Sequence, residues 1–214
     1  MPYDCFIRCA PETPVRAHLA LAAIERWKLE TDVRLRVIWK AGTFPLAKWR
    51  DEDNDAPIEQ TISGDNFQWT SRDYAEKNAT TNPYIFIDDD HMILGKDWVQ
   101  RAMKLWYQFA DNRTAFFGSD SIMPSENQKA NYERNTGQQA GEVYQAPYAM
   151  GAPLIHRKGV IDYSQFSGPA PQQDDVVTQY LRAKGMRFCY MRDILYLHLG
   201  FGLSQVQPLL WLKY

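Results

Sequence analysis

Cysteine is scarce in this sequence, with three residues among 214 and no two of them spaced as CxxC. An odd number of cysteines without metal-binding spacing argues against both a disulfide framework and a zinc knuckle. The pattern is typical of reduced thiols, so a cytoplasmic protein is expected. An excess of one charge is also lacking, because 24 basic residues stand against 26 acidic ones. No overall field would therefore draw the chain to nucleic acid or to an anionic membrane.

Several sequence signals of common protein classes are missing. The longest stretch without Lys, Arg, Asp or Glu, residues 194–212, is interrupted by Gly200, Gly202 and Pro208, so no transmembrane segment is expected. Asp4 and Arg8 lie in the first apolar run, which argues against a signal peptide. A Gly-rich phosphate loop, GxSxG and HExxH are all missing, which argues against a P-loop ATPase, a serine hydrolase and a zinc protease.

Segments with strand and helix patterns alternate along the first half of the chain. Thr13-Pro14 is a helix start, with threonine as the N-cap and proline at the first helical position. Predicted strands are 3–9, 33–39, 84–87, 114–117, 148–155, 187–191 and 195–198, and predicted helices begin at 13–14 and cover 70–78, 97–109 and 173–184. This order predicts an α/β fold with a mostly parallel central sheet flanked by helices.

Three adjacent carboxylates, Asp88–Asp90, follow the apolar run Tyr84–Ile87 directly. Ligands of open α/β sheets bind beyond the carboxyl ends of the strands. In an extended chain Asp88 and Asp90 face the same way, about 6.6 Å apart at ~3.3 Å per residue, which is wide for joint chelation. One of them is expected to bind a hard cation, Mn²⁺ or Mg²⁺, and the other a sugar or ribose hydroxyl. The alternative is a solvated acidic turn before a helix that begins near Lys96.

Two further positions in the second half are candidates for chemistry. Asp174 and Asp175 open the predicted helix over 173–184, and a carboxylate can act as the general base for a hydroxyl group. Acidic residues at a helix N-terminus are also stabilised by the helix dipole alone. His198 is a candidate metal ligand, and the alternative is a histidine satisfied within the core.

In this order the residues resemble the inverting, metal-dependent nucleotide-sugar glycosyltransferases of the GT-A fold, family 2 type. Residues 3–11 are similar to the family's first strand and the loop that meets the nucleotide, and Arg72-Asp73 to a segment ahead of its DXD motif. Residues 85–90 resemble the DXD motif itself. The second half is similar as well. Its glycine-led strand is at 151–157, its acidic pair at 173–175, the glycine that ends the helix at 185 and the terminal histidine at 198.

The resemblance implies a role for each matched residue. Asp175 or Asp174 would deprotonate an acceptor hydroxyl for attack on the anomeric carbon. The implied metal ligands for Mn²⁺ or Mg²⁺ are Asp90, His198 and Asp88, and the implied donor-binding residues are Pro11, Arg72, Asp88, Asp89 and Gly151. The implied organisation is a single domain over residues 1–214, with nucleotide-sugar binding in 1–95 and acceptor and catalytic groups in 96–214.

A nucleoside-diphosphate sugar is the implied donor, and a UDP-sugar is favoured, although Trp39-Lys40 stands where the family usually has an acidic residue. The acceptor is a glycan, a small molecule or a hydroxylated base in DNA. Residues 119–146, poor in aliphatic side chains, are the candidate lid, and the basic residues Arg182, Lys184, Arg187 and Arg192 are a candidate groove for nucleic acid. The alternatives are a nucleotidyltransferase, which would prefer a triphosphate, and a non-catalytic binding module.

Overall fold

The computed structural model describes residues 1–43, 58–62, 66–122, 142–145, 154–167 and 173–199. The strands are β1 Tyr3–Cys9, β2 Val33–Lys40, β3 Ile58–Ile62, β4 Tyr84–Asp88, β5 His91–Ile93, β6 Thr114–Ile122, β7 Val143–Gln145, β8 Leu154–His156 and β9 Arg187–His198. The helices are α1 Pro14–Lys28, α2 Phe67–Asn78, α3 Trp98–Phe109 and α4 Gln173–Ala183, with a 3₁₀ turn at Tyr163–Gln165. Within these ranges no helix is both long and apolar enough to span a membrane.

One mixed sheet organises the described residues, in the order β3-β2-β1-β4-β8-β6-β9-β5, with β7 also paired to β9. The strands that share one direction are β1, β2, β3, β4, β6 and β9, and those that oppose it are β5, β7 and β8. The sequence prediction of a mostly parallel α/β sheet is therefore confirmed.

Helices cover both faces of the sheet, because alternate side chains of its central strands are apolar on both sides. Ile85 and Ile87 of β4 pack with residues of α1 and α3 on one face. Tyr84 and Phe86 of the same strand pack with residues of α2 on the other face. The apolar side of α4 joins the α2 face through Val177, beside aromatic rings of β6 and β9. The result is a three-layer sandwich.

The local signals for two helix ends are confirmed. Helix α1 begins at Pro14, where the side chain of Thr13 accepts a hydrogen bond from the backbone N–H of Arg16. Gly185 follows α4 with a φ of 67°, in the left-handed region that glycine adopts most readily. These two signals set where α1 begins and where α4 ends.

Two predictions about the backbone need correction. The segments predicted as separate strands at 187–191 and 195–198 form one strand, β9, and residues 192–194 bulge out of its register with β6 between Met191 and Leu195. The extended geometry expected for Asp88–Asp90 is also wrong. Strand β4 ends at Asp88, Asp89 and Asp90 form a turn, and β5 begins at His91.

The amino ends of β1 and β4 are held by a buried carboxylate, Asp4. Its side chain accepts hydrogen bonds from Arg34 Nε at 2.7 Å and from the backbone N–H groups of Thr80 at 2.5 Å and Thr81 at 3.2 Å. Burial alone would raise the pKa of Asp4, but the hydrogen bonds from Thr80 and Arg34 outweigh it and lower the pKa.

The substitution Asp4→Asn should lower the free energy of unfolding by about 2–3 kcal/mol, because a buried charge-assisted network loses its anion. The matched change Asp73→Asn, at an exposed ion pair with Lys77, should cost less than about 1 kcal/mol. Urea unfolding measures both. Because the pKa of Asp4 is lowered on folding, its contribution is present above the unfolded pKa and is lost as the pH falls through the folded value. This role would be contradicted if both variants lost the same free energy of unfolding. It would also be contradicted if the difference between the two losses did not change with pH below neutrality.

Gly118 of β6 lies directly against the ring of Tyr190 on β9. A Cβ atom at Gly118 would stand 2.4 Å from Cε1 of Tyr190, which is far inside van der Waals contact. Gly118→Ala should therefore destabilise the fold by about 1–3 kcal/mol in chemical denaturation. In the Tyr190→Leu background the same change should cost clearly less, since the two sites share the contact. If the losses of stability in Gly118→Ala and Tyr190→Leu simply added in the double variant, the ring of Tyr190 would not be what excludes a side chain at position 118.

Candidate metal centre at the carboxyl edge of the sheet

The pairing of β5 with β9 brings three potential metal ligands together at the carboxyl edge of the parallel strands. In that pairing His91 lies opposite His198. Nε2 of His198 is 3.2 Å from Oδ2 of Asp90, and Nε2 of His91 is 3.6 Å from Oδ1 of the same carboxylate. One ligand atom from each of the three residues lies within 4.8 Å of the others. These three residues are therefore a candidate group for holding a cation.

The charge states of this group suit a cation. Burial alone would raise the pKa of Asp90, but His198, His91 and Arg16 together hold it well below its usual range. Burial lowers the pKa of His91 to about 4, so its imidazole is neutral near pH 7. An ionised carboxylate is the form that binds metal, and a neutral His91 adds no positive charge beside it.

The donor set of Asp90, His91 and His198 fits a first-row divalent cation better than Mg²⁺. Carboxylate oxygen suits Mg²⁺ and Mn²⁺ alike, whereas imidazole nitrogen favours transition metals. Nδ1 of His91 faces the backbone N–H of Asp88 at 3.5 Å. That contact favours a proton on Nε2, directed at Asp90, so His91 is better placed to orient the carboxylate than to ligate. Asp90 and His198 remain as the candidate direct ligands.

Two arginines from the first strand and helix face the acidic triplet. Arg8 lies opposite Asp88 in the register of β1 and β4, and Nη2 of Arg8 is 2.6 Å from Oδ1 of Asp88. Arg16 in the first turn of α1 contacts Asp89 at 3.3 Å and Asp90 at 3.1 Å. Three adjacent carboxylates can lie at a largely buried strand end because these cations offset their repulsion. The alternative of a solvated acidic turn is therefore wrong for Asp89 and Asp90, which are both buried.

Asp89 fastens the loop after β1 to the end of β4. Its Oδ2 accepts a hydrogen bond from the backbone N–H of Ala10 at 3.0 Å, and its Oδ1 faces Arg16. Burial and the neighbouring charge of Asp90 raise the pKa of Asp89 to about 7. Pro11, predicted to contact the donor, is buried in the same loop.

Arg72 of α2 is buried, with 5% of its surface exposed. Its guanidinium lies over the ring of Phe86, 4.8 Å from the ring centroid. Burial opposes the charge on this side chain, but Tyr163, Asp88 and Asp174 outweigh it and raise the pKa of the guanidinium. Arg72 therefore connects Asp88 electrostatically with the start of α4.

The remaining predicted residues fall in different places. At the start of α4, Asp174 is half-buried and close enough to Arg72 to affect its pKa, whereas Asp175 is exposed. Gly151 and most of the predicted lid over 119–146 lie outside the described residues. In the candidate basic groove, Arg187 forms an ion pair with Asp111 at 2.6 Å. Because the guanidinium of Arg187 is already paired with a carboxylate, it is less available for a nucleic-acid phosphate, which argues against the candidate groove.

His91, Arg8 and Arg16 are not among the residues predicted from the sequence. His91 directly follows the triplet, and its relevance appears only when the three-residue strand β5 is paired with β9. Arg8 could have been found by placing the predicted strands β1 and β4 side by side, since the ion pair spans directly opposed positions. Arg16 lies three residues after the cap Thr13, on a helix end that points toward the triplet.

No protein-family model and no curated protein sequence matches the chain. Solved structures do share its fold. A Pyrobaculum calidifontis mannosyltransferase in complex with GDP-Man and Mn²⁺ matches with a TM-score of 0.63 and 13% identity, over 92% of this chain and 57% of that one. TarS from S. aureus matches with a TM-score of 0.60 and 11% identity, over 92% of this chain and 36% of that one.

A second kind of enzyme shares the fold as well. UTP-bound UGPase from Acinetobacter baumannii matches with a TM-score of 0.61 and 8% identity, over 100% of this chain and 98% of that one. The chain thus spans little more than half of the mannosyltransferase and about a third of TarS, but nearly all of the UGPase. At such identities the likeness shows the fold alone. The chain has the GT-A-type, Rossmann-like fold that nucleotide-sugar glycosyltransferases and nucleotidyltransferases share.

Proposed function

We propose that the protein is a metal-dependent glycosyltransferase that moves a sugar from a nucleoside-diphosphate sugar to an acceptor hydroxyl. The observation that carries the proposal is the group formed by Asp90, His91 and His198 at the carboxyl edge of the sheet. Ligands of open α/β sheets bind at this edge. A divalent cation bound there would lie where a sugar nucleotide presents its diphosphate.

Asp90 and His198 would hold the cation, and His91 would orient the carboxylate of Asp90. Mn²⁺ suits this mixed oxygen and nitrogen donor set, with Mg²⁺ as the weaker fit. When bound, the cation would offset the charge of the diphosphate leaving group. The chain's own part is to keep Asp90 ionised and fixed in place.

The donor would contact the residues around the first and fourth strands. Asp88, held by Arg8, would accept a hydrogen bond from a ribose or sugar hydroxyl. Asp89 and Pro11 would shape the loop that the nucleotide meets, and Arg72 would add positive charge beneath it. Gly151 completes the proposed donor-binding set. A UDP-sugar is the proposed donor.

The general base in this proposal is one of the two carboxylates that open α4. It would take the proton from the acceptor hydroxyl as that oxygen forms its bond to the anomeric carbon. The bond from the anomeric carbon to the diphosphate breaks, and the nucleoside diphosphate leaves with inversion at that carbon. Asp174 is favoured by its electrostatic link to Arg72, and Asp175 by its exposure to an incoming acceptor.

The proposed acceptor is a glycan or a small molecule. A hydroxylated base in DNA is the less supported choice, because Arg187 of the candidate basic groove is engaged by Asp111. A DNA acceptor would show itself by binding that weakens steeply with salt, since phosphate contacts release counterions.

A nucleotidyltransferase is the second candidate, and the extent of the structural match favours it. The chain covers nearly the full length of the UGPase chain, which is bound to UTP, but only part of either glycosyltransferase. Such an enzyme would join a nucleoside triphosphate to a sugar phosphate and release pyrophosphate. The two functions therefore differ in the product that is released, a nucleoside diphosphate from the glycosyltransferase and pyrophosphate from the nucleotidyltransferase.

The metal site can be tested without any substrate. Asp90→Asn should weaken Mn²⁺ binding by more than about a hundredfold, beyond the ~10–100-fold typical of an outer-shell partner, because it removes the anionic ligand. Asp193→Asn, an exposed change on the same strand as His198, should leave binding unchanged. Calorimetric titration with Mn²⁺ measures both. Retained binding in Asp90→Asn would place the cation elsewhere.

The reaction class can be tested by following which product is released. With Mn²⁺ and a panel of nucleoside-diphosphate sugars, and with water taking the place of the acceptor hydroxyl, we expect release of free sugar and a nucleoside diphosphate, fastest with a UDP-sugar. Substitution of the true base, Asp174→Asn or Asp175→Asn, should slow release by about 10²–10⁴-fold while Mn²⁺ binding persists. Pyrophosphate release from a triphosphate and a sugar 1-phosphate, without turnover of any sugar nucleotide, would instead establish the nucleotidyltransferase.

A further inference from the structure

The guanidinium of Arg16 spans two carboxylates of the acidic triplet. Its Nη1 is 3.1 Å from Oδ2 of Asp90, and its Nη2 is 3.3 Å from Oδ1 of Asp89. The side chain is one-third exposed, whereas those of Asp89 and Asp90 are almost wholly buried. Arg16 therefore covers the solvent side of this part of the candidate metal centre.

One oxygen atom is shared between the arginine and the proposed metal ligands. Oδ2 of Asp90, which faces Nη1 of Arg16, also lies 3.2 Å from Nε2 of His198. A cation placed between Oδ2 of Asp90 and Nε2 of His198 would use a lone pair of that same oxygen. An arginine remains charged at every accessible pH and cannot leave by losing its proton. A guanidinium at this position would therefore share that oxygen with a divalent cation between Asp90 and His198 and would repel the cation.

The position of Arg16 is set by the backbone and not by the acidic residues alone. Helix α1 starts at Pro14, and the Thr13 side chain accepts a hydrogen bond from the backbone N–H of Arg16 itself. The loop before it is tied to Asp89 through the N–H of Ala10. The backbone of Arg16 is therefore fixed at this turn, within reach of Asp90 for its guanidinium.

We propose that Arg16 is a built-in competitor of the divalent cation and sets the metal affinity of the centre. This inference rests on the proposed metal site at Asp90 and His198. It assigns to Arg16 a role in tuning that site, and it makes Arg16 a positioning residue for the carboxylates of Asp89 and Asp90. The consequence is a weaker and more readily exchanged cation than the same ligands would hold without the arginine.

The test is a calorimetric or electron-paramagnetic titration of the full chain with Mn²⁺ alone. Arg16→Gln should bind Mn²⁺ at least about tenfold more tightly than the unmodified chain, because a positive charge within ~4 Å of the carboxylate is removed. Arg16→Lys, which keeps the charge but cannot span both carboxylates, should give an intermediate affinity. Lys28→Gln removes a positive charge from the same helix at its far end, where Lys28 pairs with Glu25, and should change nothing.

Each outcome decides the proposal. Unchanged or weaker Mn²⁺ binding in Arg16→Gln, with its circular dichroism unaltered, would overturn it. If Arg16→Gln does not fold, an affinity of Arg16→Lys equal to that of the unmodified chain would overturn it as well. Mn²⁺ binding that survives Asp90→Asn in both backgrounds, or no Mn²⁺ binding in any variant, would instead remove the proposed metal site on which the inference rests.

Discussion

The site depends on one structural feature, the antiparallel pairing of the short strand β5 with the end of β9. Strand β5 starts directly after the two-residue turn that follows β4, so its register decides what the acidic triplet faces. In the observed register His91 and His198 are directly opposed, with ring centroids 4.6 Å apart, and both face the carboxylate of Asp90. A shift of β5 by one residue would direct the ring of His91 to the other face of the sheet, away from His198 and Asp90.

Electrostatics at the same edge explains why three carboxylates can adjoin in a largely buried place. Each has a different partner: Asp88 has Arg8, Asp89 has the backbone N–H of Ala10 together with Arg16, and Asp90 has His198 together with Arg16. Their pKa values separate accordingly, with those of Asp88 and Asp90 lowered and that of Asp89 raised to about 7. The three carboxylates of the triplet therefore have different electrostatic environments.

Much of the fold follows from local signals, whereas much of the site does not. The Thr13-Pro14 start of α1, the apolar run of β4 and Gly185 after α4 are readable because each depends on a few neighbouring residues. The roles of His91 and Arg8 depend on pairing with residues distant in sequence, and β5 is too short to show a period. The triplet's turn at Asp89 and Asp90 was also unpredictable, because it depends on the Ala10 and Arg16 contacts.

The central claim is that a divalent cation binds between Asp90 and His198, beside a nucleotide at the carboxyl edge of the sheet. Crystals of the full chain grown with Mn²⁺ and UDP would test it most directly through anomalous scattering at the manganese edge. The account predicts a manganese peak coordinated by the Asp90 carboxylate and by Nε2 of His198, in contact with the diphosphate. A peak away from both residues, or a nucleotide at the opposite edge near Asp4, would contradict it.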